Sequence, residues 1–290
     1  GVVSSGDIKV NDVSIGKGAN SVANNTVLGG GALDAAVTGN NNTAIGKDAL
    51  TSHTSGSNVT AVGAFALDAN TTASNNSAFG YGSLGSNTTG TQLTAVGVNA
   101  LTSNTTGNYN IATGHSALTS NTTGQFNCAF GRVALTNNVN GNYNNAFGDS
   151  ALEANTGSNN SAFGYQALEA NTSASNNTAV GYQALNDNTT ASGNTAVGYN
   201  AMALNTTGAS NTAFGAEALD ASTTGVSNVA VGKGALTALT TAAYNTSVGT
   251  STLQGVTTSS ANTAVGYTAL LNGNRSNNTA VGFEALRLGA

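Results

Sequence analysis

The sequence predicts an all-β protein folded as a parallel β-solenoid, and three observations lead to this prediction. A short phrase that closes on glycine, such as Asn194-Thr195-Ala196-Val197-Gly198, recurs along the whole chain of 290 residues. From Gly29 onward, successive closing glycines stand 17 residues apart, except at two steps of 16. Apolar residues keep fixed places in each repeat, and a polar turn such as Asn205-Thr206-Thr207-Gly208 follows them. One repeat per coil predicts about 17 coils.

Two short extended runs are predicted in every coil. We number the positions of a repeat from its closing glycine, which is position 0. Position −2 is nearly always Ala, and position −1 is Val, Ile, Leu or Phe except at Thr113. Positions +3 and +4 hold a small residue and then Leu, with Asn20 and Met202 as departures. Short apolar runs between Gly, Asn and Thr turns are typical of strands, and no window keeps the spacing of a helical stripe.

The closing glycines and the asparagines before them are predicted to be structural. Each glycine ends a strand where the chain must turn, and only Gly adopts a positive φ without a Cβ clash. Position −4 is Asn in fourteen of seventeen repeats, and amides stacked about 4.8 Å apart can hydrogen-bond from coil to coil. The glycines singled out in this way are Gly46, Gly63, Gly80, Gly97, Gly114, Gly131, Gly148, Gly164, Gly181, Gly198, Gly215, Gly232, Gly249, Gly266 and Gly282.

The chain divides into an N-terminal cap segment, residues 1–20, and a solenoid repeat array, residues 21–290. Within the cap segment, Asp7-Ile8-Lys9-Val10 is a candidate strand. The two 16-residue repeats each lose a residue in a turn, at Asn155-Thr156-Gly157 and at Gly273-Asn274-Arg275. A loss within a strand would move every following side chain to the other face, so the turn is where a deletion is tolerated. The chain begins without Met and ends without a polar cap, from which we expect it to be a piece of a longer fibre.

The repeat resembles those of two kinds of fibrous protein. Asn76-Ser77-Ala78-Phe79-Gly80 and Asn245-Thr246-Ser247-Val248-Gly249 look like the Asn-Ser-x-Ala-x-Gly repeat in the YadA-like heads of trimeric autotransporter adhesins. Asn177 to Leu185, continued by Asn188-Thr189-Thr190, is even more similar to repeats in the tail fibres of tailed bacteriophages. The resemblance covers essentially the whole chain. It implies a left-handed β-roll assembled as a homotrimer, in a virion tail fibre or, alternatively, at an extracellular cell surface.

Composition disfavours several other classes of protein. Only 7% of the residues are charged and the net charge is −5, so the chain lacks the basic patch that nucleic-acid binding needs. No apolar run approaches the ~20 residues of a membrane span, and we expect no membrane insertion. One Cys and two His give no metal framework, and no cofactor motif is present. We predict that Cys128 is a small half-buried residue and that His53 and His115 are solvent-facing turn residues.

The apolar columns predict self-association. Ala196 and Val197 are neighbours in an extended strand and point to opposite faces, and the same reasoning applies to Ala201 and Met202. Either the −1 column or the Leu column at +4 should therefore face outward. A continuous apolar stripe of that length marks an interface, from which we expect a symmetric oligomer around a shared axis.

One pair of carboxylates has the geometry of a hydrolase site. Glu153 and Glu169 occupy position +5 of successive repeats and should stack roughly 5 Å apart, close to the ~5–5.5 Å of retaining glycosidases. The same position holds other charged residues elsewhere (Asp34, Asp68, Asp220 and Arg287), and no insertion builds a pocket around the pair. We therefore predict no catalytic residue and no enzymatic activity.

A tyrosine column is the candidate glycan contact. Tyr165, Tyr182 and Tyr199 occupy position +1 of three successive repeats and should stack in register, offering exposed rings and hydroxyls to a sugar. The alternative is a ladder of rings that pack only on each other. A second aromatic position, −5, is interpreted as turn packing; it holds Tyr109, Phe126, Tyr143 and Tyr244.

Together these features predict a structural or adhesive fibre protein. The leading interpretation is a phage tail-fibre shaft or receptor-binding segment that mediates host attachment. Its partners would be two further copies of itself, a host surface glycan or protein receptor, and other fibre or tail proteins. The alternatives are the head of a bacterial trimeric surface adhesin and an ice-binding or filament-forming extracellular solenoid.

Overall fold

A computed structural model describes residues 7–287 of the chain. Residues 1–6 of the predicted cap segment and residues 288–290 of the predicted array lie outside the described residues. The chain forms two compact units, and the boundary between them falls between residues 143 and 144 of the sequence. Both units consist mainly of parallel strands, one per repeat, joined by turns. The predicted fold class, an all-β parallel β-solenoid with a 17-residue repeat, is confirmed.

The first unit begins with antiparallel strands and continues as a parallel ladder. Strands β1 (Ile8–Val10) and β2 (Val13–Gly16) form a hairpin, and β2 also pairs antiparallel with β3 (Thr26–Gly29). A single turn at Ala19–Ser21 lies between β2 and β3. Each later strand is parallel to the one before it: β4 (Thr43–Ile45), β5 (Thr60–Val62), β6 (Ser77–Phe79), β7 (Thr94–Val96), β8 (Ile111–Thr113) and β9 (Cys128–Phe130).

The second unit is parallel throughout. Its strands are β10 (Asn145–Phe147), β11 (Ser161–Phe163), β12 (Thr178–Val180), β13 (Thr195–Val197), β14 (Thr212–Phe214), β15 (Val229–Val231), β16 (Thr246–Val248), β17 (Thr263–Val265) and β18 (Thr279–Val281). Within residues 7–287 the sixteen strands β3 to β18 are separated by about 15 turns, rather than the predicted 17 coils. One coil is missing because the repeat that closes on Gly16 pairs antiparallel, and the other because sixteen strands enclose only fifteen turns.

The two deletions lie in turns, as predicted. Ala146 of β10 still faces Ala162 of β11, and Ala264 of β17 still faces Ala280 of β18. In the shortened turn after β10, Asn155 donates its side-chain amide to the carbonyl of Gly157, two residues later in the chain. In a turn of full length, Asn171 donates to the carbonyl of Ala174, three residues later. The loss is absorbed by the turn, and the strand register is unchanged.

The predicted second strand of each coil is wrong. Positions +1 to +5 form a succession of turns, in which positions +2 and +4 have left-handed φ values, 51° at Gln183 and 53° at Leu185. Gln183 donates its backbone N–H to Tyr165 of the preceding coil, and Leu185 donates to Ala201 of the following coil, both at 3.0 Å. Hydrogen bonds between coils thus continue through the turns. A short apolar run between turn residues is compatible with a strand, but pattern alone does not fix φ.

Burial explains why leucine accepts this conformation. From Leu33 to Leu270, including Met202, the side chain at +4 is fully buried and φ lies between 47° and 55°. The left-handed region costs an L-residue roughly 1–2 kcal/mol, whereas burying a Leu side chain contributes about 1.5–3 kcal/mol. The neighbouring +3 residue is buried as well, so Ala201 and Met202 both face inward. The prediction that they point to opposite faces is wrong, because it assumed a strand.

The closing glycines are required for two reasons. Their φ values lie between 129° and 145° from Gly46 to Gly282, as the predicted turn requires. In addition, a Cβ on Gly198 would stand 2.5 Å from the carbonyl oxygen of Gly215 in the next coil. The coils approach each other closely along this column, which the sequence pattern alone does not show.

Two asparagine ladders cross the interior. At position −4, Asn177 accepts the backbone N–H of Asn194 at its Oδ1 (2.9 Å) and donates its Nδ2 to the carbonyl of Ala191 (2.9 Å). At position +7, Asn104 donates its Nδ2 both to Oδ1 of Asn87 (2.9 Å) and to the carbonyl of Gly107 (3.0 Å). The −4 column was predicted to hydrogen-bond from coil to coil, and it does so mainly through the backbone. The amide-to-amide ladder lies at +7, in the predicted polar turn.

Candidate functional site

The outward face of the strands carries one of the two apolar columns, as predicted. Position −2, which is Ala in all the parallel strands except β3 and β16, is buried, while positions −3 and −1 are wholly or partly exposed. The Leu column is buried, so the exposed apolar column is position −1, with Phe79 42%, Phe163 41% and Phe214 57% exposed. Position −3, usually Thr, shares this face. Each unit therefore presents a stripe of regularly spaced apolar side chains, bordered by hydroxyls.

The tyrosine column forms in the predicted register. The ring centroids of Tyr165 and Tyr182 are 5.4 Å apart at 14°, and those of Tyr182 and Tyr199 are 5.5 Å apart at 13°. All three side chains are about half-exposed. The rings cover each other's faces, so the column presents edges and hydroxyls rather than a broad aromatic plane. Its role as a glycan contact stays a prediction.

The aromatic residues at −5 also stack. Tyr109, Phe126 and Tyr143 follow one another with centroid separations of 4.8 and 5.0 Å and nearly parallel rings. Each has a left-handed φ, near 57°, and each remains exposed. Their stacking is the packing against neighbouring turns that the sequence predicts.

The two glutamates lie on adjacent coils, and one of them is held in a polar network. Ala154, next to Glu153, donates its N–H to the carbonyl of Glu169 at 3.0 Å. The carboxylate of Glu169 accepts hydrogen bonds from Gln166 at Oε1 and from Asn186 at Oε2, both at 3.0 Å. Both side chains are half-buried. Both oxygens of Glu169 are therefore engaged by amides, as in a surface hydrogen-bond network.

His53 is not solvent-facing, and that prediction is wrong. It occupies position +7 and is fully buried, with Nε2 2.8 Å from the carbonyl of Gly56 and Nδ1 2.8 Å from Nδ2 of Asn70. Because the Asn70 amide nitrogen is a donor, Nδ1 accepts and Nε2 carries the proton. Burial lowers the pKa of His53, and the neutral ring replaces an Asn of the ladder. His115 is exposed, as predicted.

Cys128 is half-buried, in agreement with the prediction. Burial raises the pKa of its thiol, which disfavours the reactive thiolate. Within residues 7–287, no group of three or more His, Cys, Asp or Glu side chains is placed to hold a metal ion. The same residues include no helix of the length and apolarity needed to cross a bilayer.

One surface feature of the first unit escaped the sequence analysis. A pocket of about 490 Å³ lies beside Tyr81, with Phe65 and Asp68 on its wall. A signal for it exists in the sequence, because the repeat that closes on Gly80 has glycine at both +2 and +5, Gly82 and Gly85. These two missing side chains interrupt the surface of the array at one coil.

Comparisons of the chain with protein-family models, with curated proteins and with solved structures gave no match. The resemblance to phage tail fibres and to adhesin heads therefore stays a prediction from the repeat.

Proposed function

We propose that this chain is a non-enzymatic structural and adhesive fibre protein, a shaft or receptor-binding segment of a bacteriophage tail fibre that attaches the virion to its host. The observation that carries the proposal is the outward apolar column on each unit, backed by buried Ala and Leu columns. A repeat of 16 or 17 residues without insertions suits a protein that displays the same surface many times over.

Self-association follows from the exposed phenylalanines. Phe79, Phe163 and Phe214 belong to columns that are apolar at every coil except at Thr113, and apolar patches of this kind mark protein interfaces. We propose that three copies bury these columns against each other; the number three rests on the resemblance to trimeric fibres.

Light scattering after size-exclusion chromatography tests this proposal. The expected mass is three times that of the 28.2 kDa chain. A Phe163→Asp, Phe214→Asp double variant should lower the mass, because it places charges in the interface, whereas Thr190→Asp at an exposed turn position should leave it unchanged. A stable monomer of the unaltered chain would contradict the proposal.

Host attachment would depend on many weak contacts. Three chains in a fibre raise avidity through effective concentration without any new contact, and the proposed partners are a host surface glycan or protein receptor and other fibre or tail proteins. Replacing Tyr165, Tyr182 and Tyr199 together by Ala tests the tyrosine column. Weaker attachment to bacterial cells with an unchanged circular dichroism spectrum would support a contact role, and unchanged attachment would indicate packing alone.

The head of a bacterial surface adhesin is the first alternative, because the resemblance to adhesin heads implies the same kind of roll. Neighbouring genes distinguish the two. Structural virion genes would favour the tail fibre, and a membrane anchor encoded downstream in the same reading frame would favour the adhesin.

Ice binding is the second alternative, and one observation favours it. Thr60 and Val62 flank the buried Ala61 on the outward face of β5, and the same pattern recurs along each unit, so hydroxyls and apolar groups form a regular array. A face covered in a trimer cannot contact ice. A monomer with thermal hysteresis in solution would favour ice binding, and a trimer without it would favour the fibre.

A further inference from the structure

The pocket beside Tyr81 is the place where the first unit departs from its own repeat. Phe65 and Tyr81 come from successive coils, and their ring centroids are 5.7 Å apart with the planes at 79°. The two rings therefore form a corner. The pocket volume, about 490 Å³, falls within the roughly 300–1,000 Å³ typical of small-molecule sites.

This corner differs from the tyrosine column in the second unit. There, each ring lies nearly parallel to its neighbour, and both faces of Tyr182 are covered. Tyr81 stands at the same coil position, but Ala64 and Val98 hold that position in the adjacent coils. Its ring contact in the described chain is the perpendicular one with Phe65. No parallel aromatic ring of the column covers a face of Tyr81.

Polar groups border the space that the two glycines leave open. A Cβ on Gly85 would lie 3.4 Å from Oδ1 of Asp68, and one on Gly82 would lie 2.9 Å from Oδ1 of Asn99. Burial, together with the nearby charge of Asp48, raises the pKa of Asp68. The incomplete hydration of this carboxylate favours hydrogen bonds from a ligand.

We propose that this pocket binds one neutral pyranose unit of a surface glycan. A pyranose has an apolar C–H face, which suits an aromatic plane, and hydroxyls at its rim, which suit carboxylate and amide oxygens. Asp68 on the pocket wall disfavours sugars that carry a carboxylate. The positive charge closest to the aromatic corner, Lys47 at 5.6 Å from the centroid of the Phe65 ring, is paired with Asp48 at 3.9 Å. The inference rests on the adhesive function proposed above and names the ligand class and the place of contact.

The repeat itself supplies a variant that closes the pocket. Position +5 is Thr in the next coil, where Thr102 donates its Oγ1 to the carbonyl of Gly82 at 2.9 Å. Gly85 has no positive φ, and the nearest atom to an added Cβ is 3.3 Å away. Gly85→Thr should therefore fold after a shift of a few tenths of an ångström at the carbonyl of Gly82, while it fills the pocket. Ala203→Thr introduces the same residue at position +5 of a coil in the second unit and serves as the control.

Saturation-transfer NMR with the methyl glycosides of glucose, galactose and mannose tests the proposal, with the methyl glycoside of N-acetylneuraminic acid as the anionic probe. At least one neutral glycoside should bind the unaltered protein, with a Kd on the order of 1 mM for a single sugar. Gly85→Thr should weaken this binding roughly tenfold or more, and Ala203→Thr should not. Tyr81→Ala, which removes an exposed ring, provides a second route to the same loss.

Four results would overturn the proposal. They are no binding of any neutral glycoside, binding by Gly85→Thr and Tyr81→Ala as strong as by the unaltered protein, loss of binding only in the triple tyrosine variant, and preferred binding of the anionic probe. Attachment of labelled protein to bacterial cells is measured separately. Sugar binding without attachment would refute the adhesive function but keep the pocket. Attachment that Gly85→Thr leaves intact, with no sugar bound, would refute the pocket but keep the adhesive function.

Discussion

Position +7 is filled in two different ways along the chain, by a ladder of asparagines in both units and by apolar residues in two late repeats of the second unit. In the first unit it carries a polar ladder, in which each Asn from Asn87 to Asn138 donates to the side chain before it and to a carbonyl of its own turn. In the last repeats of the second unit the same buried position holds Leu239 and Val256. In the turn of Leu239, the carbonyl of Ala242 still has a donor, because Asn228 of the −4 ladder binds it at 2.8 Å. In the turn of Val256, Asn245 of the same ladder donates instead to the carbonyl of Ala243 (3.4 Å) and to Oδ1 of Asn228 (3.2 Å). The −4 ladder thus supplies the donor for the turn of Leu239 alone, whereas the +7 ladder adds a second donor wherever it is continuous.

The polar ladder of the second unit ends at Asn205, where two buried oxygen atoms of the described chain are left without hydrogen bonds. Asn205 donates to Oδ1 of Asn188 at 2.9 Å and to the carbonyl of Gly208 at 3.0 Å. The next residue in the column is Ser222, which is too short to reach back. Within the described chain, Oδ1 of Asn205 and Oγ of Ser222 are buried without a hydrogen-bond partner. A buried polar group left without a partner costs about 1–3 kcal/mol. Asn at position +7 therefore stabilises the fold only where the residue at position +7 of the next coil donates to it.

The largest effect is expected at the glycine column, which both regions share. Gly80→Ala in the ladder region and Gly232→Ala in the apolar region should each destabilise by roughly 4 kcal/mol, since strain adds to a clash. The added Cβ would lie 2.5 Å from the carbonyl oxygen of Gly97 or Gly249, respectively. Urea unfolding followed by circular dichroism measures the loss.

Gly282→Ala is the matched control for the glycine prediction. Its φ of 129° imposes the same strain, but the nearest atom to an added Cβ is 3.9 Å away. Only the strain, roughly 1–3 kcal/mol, should remain. Equal losses at all three positions would show that the close approach between coils does not matter.

Breaking the polar ladder in its middle should give the next largest effect. Asn104→Leu leaves Oδ1 of Asn87 without its donor and removes the acceptor 2.7 Å from Nδ2 of Asn121. The expected loss is about 1–3 kcal/mol for each group left unpaired. Leu239→Asn, the opposite change in the apolar region, should also destabilise the protein. The side-chain oxygen that it introduces has no donor in the next coil, where Val256 holds position +7. If Asn104→Leu unfolded at the same urea concentration as the unaltered protein, the ladder would contribute nothing.

Extending the ladder by one residue should stabilise the second unit. The carboxamide introduced by Ser222→Asn can donate to Oδ1 of Asn205 and to the carbonyl of Gly225. It replaces two unpaired oxygens, Oδ1 of Asn205 and Oγ of Ser222, by one, its own Oδ1, which has no donor at Leu239 of the next coil. The gain should be about 1 kcal/mol, the usual net contribution of a hydrogen bond, seen as a rise in the unfolding midpoint. Ser222→Ala removes the hydroxyl alone and should gain less. A lower midpoint for Ser222→Asn would argue against a continuous ladder as the source of stability.

The smallest effect is expected at the buried histidine, His53. Burial lowers the pKa of His53 in the folded chain below the ordinary value of about 6.5, so the unfolded chain binds the proton first as the pH falls. Stability should be complete above pH ~6.5 and decline below it. His53→Asn restores the ladder residue and should remove this dependence without a large change at pH 7. The midpoints of both proteins between pH 7 and 5 give the test, and parallel declines would rule out His53 as the cause.

The sequence alone determined the parallel solenoid, its 17-residue repeat, the place of the deletions and the presence of one outward apolar column. All of these depend on spacing, because residues one repeat apart must stack and Gly, Asn and Thr mark the turns. The sequence also contained the signal for the Tyr81 pocket, in the paired glycines Gly82 and Gly85. The direction in which a side chain at position +5 points, however, follows only from the folded backbone.

Only the tertiary structure decided the backbone conformation between the glycine and the polar turn. Gln183 and Leu185 adopt left-handed φ values because their N–H groups bind to coils on opposite sides. As a result, the Ala at position +3 and the Leu at position +4 both face inward, and not to opposite faces. The same geometry brings position +7 into the interior, which buries His53 and creates the second asparagine ladder. A repeat pattern records which residues align from coil to coil. Which of them face inward depends on φ and on hydrogen bonds between coils, and these exist only once the coils are stacked.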